Sequence, residues 1–223
     1  MTRQRPIVPE KNVREFANEL ACEIVRKRLA DITDIEAQCR NAGARYDAPS
    51  KSAVFNYLDR ECRVTWPAGD VSYTDGDPEA GIKDTILILD YFTRAGGTPL
   101  TGTMITYKEL LDGINYFTVF SSRTTQPLVK FFGDNPELLV TTAARMGGRP
   151  ADFGDAAVTF PAFPRVPLTY VLWRGDEEFS PEGSILFDST VADYLSNDDI
   201  HALCETIIWR LVRLSKTGGD NPG

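Results

Sequence analysis

The sequence predicts an α+β domain: an antiparallel or mixed sheet flanked by an N-terminal helix, a central buried helix and a C-terminal amphipathic helix. Three observations support this. Apolar residues recur at the helical period near both ends, β-branched and aromatic runs cluster at 53–73 and again at 156–188, and no linker or repeat interrupts residues 10–215. One domain is therefore expected over 10–215, with 1–9 and 216–223 as flexible termini.

From Lys11 to Leu29, apolar residues at 13, 16, 17, 20, 21, 24 and 25 form one helical stripe, with Cys22 on the opposite face. A short helix is expected over Ile32–Arg40, stopped near Gly43. Ala53–Trp66 mixes Val54, Phe55, Tyr57, Val64 and Thr65 with a polar interruption, which predicts two strands or one bent strand ending at Pro67. Pro67-Ala68-Gly69-Asp70 is turn chemistry, and Val71–Tyr73 reads as a short paired strand. The next helix, from about Pro78 to Ala95 and opened by Asp75-Gly76-Asp77, is apolar on nearly all sides after its first turn and belongs at the centre. Gly96–Gly102 ends it in a flexible loop carrying Thr98 and Thr101.

Met104–Tyr107 reads as a strand, Asp112-Gly113 as a turn and Ser121–Thr124 as a polar loop. Helices are expected at Thr125–Phe132 and Pro136–Met146, broken at Gly133–Pro136. Ala156–Phe163, Val166–Trp173 and Ser184–Asp188 are strand-like runs, most simply antiparallel. Ser196-Asn197-Asp198-Asp199 has the Ser-x-x-acid form of a helix cap, and apolar residues at 200, 203, 204, 207, 208, 211, 212 and 214 continue it as the terminal helix.

Composition excludes several functions. Lys plus Arg number 24 against 32 Asp plus Glu, a net charge of −8, which disfavours a broad footprint on nucleic acid or anionic lipid while leaving room for a local basic groove. The longest apolar stretches, such as Ile86–Leu89, are far too short for a membrane span. Glu10–Glu15 is charged where a signal peptide needs an apolar run, so a cytoplasmic location is expected. The four cysteines, at 22, 39, 62 and 204, contain no Cys-x-x-Cys and are expected as free thiols. A single histidine, His201, excludes a multi-His metal centre.

Few segments carry chemistry. The loop Arg174–Gly183 concentrates Asp176, Glu177, Glu178 and Glu182, with Asp188 ending the following strand. Those carboxylates read as a Mg²⁺ or Mn²⁺ site, as a solvated hairpin loop, or with one carboxylate turned back to cap a neighbouring backbone or pair with Arg165 or Arg174. Gly96–Gly102 lacks the Lys-Ser or Lys-Thr of a phosphate loop. Its threonines, Thr101 among them, are candidates to line a pocket with Tyr107 and Arg123. The Arg123 guanidinium suits a carboxylate or phosphate, its alternative being an ordinary surface role. His201 flanks the buried stripe near the start of the terminal helix, where the dipole favours the neutral imidazole that ligates metals. The alternative for it is a boundary histidine with a local hydrogen bond. Gly-x-Ser-x-Gly is missing, so nothing local points to a nucleophilic hydrolase.

The string Phe163–Phe179, with Ile185-Leu186-Phe187-Asp188 and Tyr194–Asp199, resembles the C-terminal signature of the family called domain of unknown function 3786. Ile86–Phe92, Gly97–Gly102 and Gly154–Ala157 are similar to its other blocks, in the same order, over about residues 10–215. The resemblance implies a setting of anaerobic, low-potential redox or corrinoid chemistry, because some members are fused to a four-cysteine iron–sulfur domain. This chain has no such cysteine block.

The leading expectation is a non-catalytic binding protein for a large planar cofactor, a corrinoid or haem-type tetrapyrrole. Its pocket would be lined by Thr101, Tyr107, Arg123 and Trp173, with His201 as the axial ligand. An iron–sulfur or corrinoid protein is the expected partner, with no nucleic acid and no membrane. The alternatives are a divalent-metal enzyme using Asp176, Glu177, Glu178 and Asp188, and an accessory or assembly protein for a redox partner.

Overall fold

The computed structural model describes residues 13–76 and 80–217, with side chains from Glu15 onward. The expected ends 1–9 and 218–223, and the expected opening of the central helix at 77–79, lie outside the described residues. Lys216 and Thr217, expected in the flexible tail, are helical.

Helix α1 spans Val13–Ala30. Its inward face differs from the predicted stripe: Val25 and Leu29 are buried, whereas Phe16, Leu20 and Ile24 are 60%, 47% and 47% exposed. The three outward residues fall roughly 100–180° from Val25 around the helix. What orients α1 is its neighbour α3, Ile82–Arg94, where the buried Asp90 accepts a hydrogen bond from Arg28 at 2.8 Å. Helix α2, Ile35–Ala42, begins later than predicted because the Asp34 side chain caps it, accepting from the Ala37 amide at 2.9 Å. Gly43 stops it in the left-handed conformation, at φ 65°.

Four strands, β1 (Arg45–Asp47), β2 (Ser52–Tyr57), β3 (Arg60–Thr65) and β4 (Val71–Tyr73), form an antiparallel sheet in chain order. The predicted polar interruption resolves into a two-residue turn at Leu58-Asp59, with Leu58 at φ 55°. A second sheet is built from β5 (Met104–Thr106), β6 (Arg149–Ala151), β7 (Ala156–Phe163), β8 (Val166–Trp173) and β9 (Glu182–Asp188), in the order β5-β9-β8-β7-β6 and antiparallel throughout. The sheets meet where the Leu58 amide donates to the Ala162 carbonyl at 2.8 Å. The three-residue strands β1 and β6 are too short and polar to announce themselves.

Helix α3 is buried from Leu87 to Phe92. Phe92 stacks on Phe55 of β2, and Tyr91 stacks on Phe163 of β7 with ring centroids 4.2 Å apart, so one core serves both sheets. The Tyr91 hydroxyl donates to the Ala42 carbonyl at 2.6 Å. Helix α4, Gly113–Arg123, replaces the predicted turn and polar loop. Only Gly113 and Phe120 of it are buried, which leaves no apolar stripe for periodicity to detect. Helices α5 (Thr125–Phe132) and α6 (Pro136–Ala144) follow. Helix α7, Asn197–Thr217, starts at the predicted cap: the Ser196 amide donates to the Asp199 carboxylate at 3.0 Å, and the Asp199 amide to the Ser196 hydroxyl at 3.3 Å. Its predicted stripe from Ile200 to Val212 is buried.

The 96–103 segment, expected to be flexible, is tied down by Asp188 at the end of β9. That carboxylate, 3% exposed, accepts from the amides of Gly102 (2.7 Å), Thr101 (3.1 Å) and Thr190 (3.1 Å) and from the Thr190 hydroxyl (2.8 Å). The Tyr194 hydroxyl adds a bond to the Thr98 carbonyl. Burial disfavours the Asp188 charge, but the donors outweigh it and hold its pKa at about 2. The stabilisation is full above the ordinary value of 3.8 and is lost as pH falls through about 2. Asp188→Asn should therefore cost roughly 2 kcal/mol at neutral pH. In urea unfolding measured against pH, the gap to wild type should close between pH 3.8 and 2.

Candidate functional site

The exposed side of α7 forms one wall of a groove, with α4 and α3 opposite. At its start stands His201, whose ring meets Phe120 of α4 edge-on at 5.7 Å. Phe120 in turn stacks on Tyr107 at 3.9 Å. Tyr107 opens a 3₁₀ turn whose capping box holds it in place, the Thr106 amide donating to Glu109 at 2.7 Å. One turn beyond His201, Glu205 lies 3.9 Å from Arg123 at the end of α4. A cleft of about 330 Å³ is lined by Tyr107, Tyr116, Arg123, Asp198 and His201.

The structure thus brings together Tyr107, Arg123 and His201, and it separates the other two predicted residues from them. Thr101 is engaged by Asp188 and Ser189. Trp173 ends β8 opposite Glu182, while Phe187, in ring contact with Phe120, pairs with Leu168 five residues back along that strand. That places Trp173 roughly 17 Å along the sheet from the cleft end. An antiparallel register sends the two ends of a strand to opposite edges of the molecule, which adjacency in sequence does not show.

His201 is neutral at physiological pH. Burial pushes its pKa below the usual 6.5, Arg123 adds to this, and Glu205 and Asp198 oppose it. Its Nε2 is buried with no hydrogen-bond partner. The boundary histidine with a local bond is therefore not what Nε2 shows.

The four carboxylates of the metal reading fall at two places. The Asp176 side chain accepts from the amides of Glu178 and Phe179, both at 2.8 Å, which closes its own loop and lowers its pKa. Glu177 and Glu178 are exposed beside it, whereas Asp188 is at the far end of β9. Among the described residues no three His, Cys, Asp or Glu side chains are grouped to hold one ion. All four cysteines are free.

A polar cluster farther along α7 escapes sequence reasoning. Asp84, in the first turn of α3, accepts from Arg210 (2.7 Å), the Tyr57 hydroxyl (2.9 Å) and the Tyr73 hydroxyl (3.4 Å). Burial and the Asp84 charge keep Tyr57 protonated and donating. Arg60 covers the Tyr73 ring at 3.6 Å and grips Asp75 with two nitrogens. A second cleft of about 740 Å³ shares Arg123 with the first and is lined farther along α7 by Glu205, Trp209, Arg210 and Arg213. Positions 57, 60, 73, 84 and 210 lie on three strands and two helices, so no local spacing could reveal them.

With this geometry in view, the comparison with protein families is decisive: the model described as domain of unknown function (DUF3786) matches residues 34–210. The chain belongs to the DUF3786 family. The DUF3786 match covers Tyr107, Arg123, His201 and Arg210 and leaves out α1, a narrower span than the sequence resemblance suggested. The curated proteins and the solved structures contain no match. No described helix of this DUF3786 chain is long and apolar enough to cross a membrane.

An imidazole nitrogen buried without a partner costs the hydrogen bond it made to water. His201→Leu is expected to leave stability unchanged or slightly raised at pH 8 in urea unfolding. As pH falls below 6.5 and through the lower folded-state value, wild type should lose stability relative to the variant, because only its unfolded state gains the proton readily.

Proposed function

We propose that this DUF3786 chain is a non-catalytic, cytoplasmic binding protein for a large planar cofactor, a corrinoid or haem-type tetrapyrrole. The observation that carries the proposal is the neutral His201 with its unpartnered Nε2 at one end of a long groove. The groove supports it in size and in character. Clefts of about 330 and 740 Å³ share Arg123, and volumes in this range suit cofactors. The walls pair exposed apolar groups, Ile82 at 41% and Trp209 at 44%, with Arg123 and Arg210. A tetrapyrrole has the matching chemistry: apolar faces for Trp209 and Ile82, and a polar rim for guanidinium groups. His201 would supply the axial nitrogen, its neutral form being the one that binds iron or cobalt. Nε2 lies beneath the cleft surface, so ligation requires the side chains over it to part. An iron–sulfur or corrinoid protein is the partner such a carrier would serve.

Purified protein titrated with haemin and with hydroxocobalamin should shift the visible absorption band of at least one of them. The shift should change character in His201→Ala, and affinity should fall about tenfold in Arg123→Ala. No shift with either cofactor overturns the proposal. A shift identical in wild type and His201→Ala removes the axial role.

A further inference from the structure

A further cleft of about 500 Å³ adjoins the Trp209 cleft, sharing Asp84, Arg210 and Arg213 with it, while its Asp59, Arg60 and Arg145 lie outside the tetrapyrrole groove. Arg60, Arg145, Arg210 and Arg213 line it, together with Asp59 and Asp84. The arginines come from three distant parts of the chain: the start of β3, the end of α6 and two positions one turn apart on α7. Asp75 offsets Arg60 and Asp84 offsets Arg210, which leaves Arg145 and Arg213 facing the single carboxylate of Asp59.

The guanidinium groups are held rather than merely near one another. Arg210 donates to Asp84 at 2.7 Å, and Asp84 is fixed in turn by the Tyr57 hydroxyl. Arg60 is gripped by Asp75 and lies over the Tyr73 ring. Arg145 donates one nitrogen to the Leu214 carbonyl at 2.9 Å, which anchors the end of α6 against α7. Arg145 and Arg213 make no ion pair among the described residues. Each guanidinium has five N–H donors in a planar fork, so the single bond of Arg145 to Leu214 leaves it donors over for a ligand, and Arg213 likewise has donors to offer.

We infer that this cleft binds the oligophosphate group of a small molecule. A singly charged anion reaches one guanidinium and gains little in water. A diphosphate or longer chain carries several charges and acceptor oxygens on one frame, so it can bridge Arg145 and Arg213 at once with charge-assisted bonds. The prior anchoring of Arg145 on the Leu214 carbonyl lowers the ordering cost of that bridge. The volume exceeds that of the phosphates themselves and leaves room for the group that carries them.

The test is isothermal titration of the full chain with inorganic pyrophosphate and triphosphate at constant ionic strength, with phosphate, sulfate and citrate as competing arms. Pyrophosphate or triphosphate should bind at least tenfold more tightly than phosphate or sulfate. Arg145→Ala and Arg213→Ala should each weaken it on the order of tenfold, and Arg213→Gln should do the same. Arg213 is exposed and anchors nothing among the described residues, so its variants should melt with wild type, while Arg145→Ala gives up the bond to Leu214 and should melt only slightly lower. His201→Ala should leave pyrophosphate affinity unchanged, which distinguishes this site from the His201 end of the tetrapyrrole groove. No binding by wild type at millimolar pyrophosphate overturns the inference, as does affinity unaltered in the arginine variants. Citrate binding as tightly as pyrophosphate overturns the oligophosphate assignment.

Discussion

Burial of helix α3 is the constraint on which the rest of this structure depends. Leu87, Ile88, Leu89, Tyr91 and Phe92 are all sequestered, and each contributes about 1.5–3 kcal/mol by leaving water. A helix buried on nearly every side needs cover from several directions. Here β2 presents Phe55, β7 presents Phe163, α1 packs through Val25 and Leu29, and α7 closes the remaining side. The two sheets are thereby fixed relative to each other around a single helix.

The polar groups that α3 carries then decide where the ends of the molecule are joined. Asp90, inside the core, must be paired: Arg94 does this within α3, and Arg28 does it from α1 and so orients that helix. Asp84, at the start of the helix, faces out of the core and gathers Tyr57, Tyr73 and Arg210 from both halves of the chain. Tyr91 reaches the Ala42 carbonyl at the end of α2. The groove along α7 is thus a consequence of packing. Where α7 passes α3 and α4, polar and half-exposed side chains line the seam, so it stays open to ligands.

Much of the architecture was legible locally. The paired strands at Ala156–Phe163 and Val166–Trp173 follow from β-branched and aromatic runs punctuated by proline, and the start of α7 follows from the Ser196–Asp199 cap. The inward face of α1 was misread because Phe16, Leu20 and Ile24 match the helical period as well as Val25 and Leu29 do. Period locates a stripe, and only a neighbour decides which side of it is covered. Helix α4 went unread for the opposite reason: its apolar residues Ile114, Tyr116 and Val119 face outward. Of the predicted pocket, Tyr107, Arg123 and His201 converge, while Trp173 does not.

The sequence by itself determined the α+β class, the buried central helix, the free thiols, the shortage of histidine and the family. Each depends on composition or on neighbours within a few residues, where propensity, capping and hydrophobic period act. Only the tertiary structure decided that the loop after α3 is pinned to Asp188, that His201 Nε2 has no partner, and that four arginines share one cleft. Those facts rest on which surfaces meet when α3 is buried, and contacts between residues 60 and 213, or 102 and 188, leave no trace in local spacing.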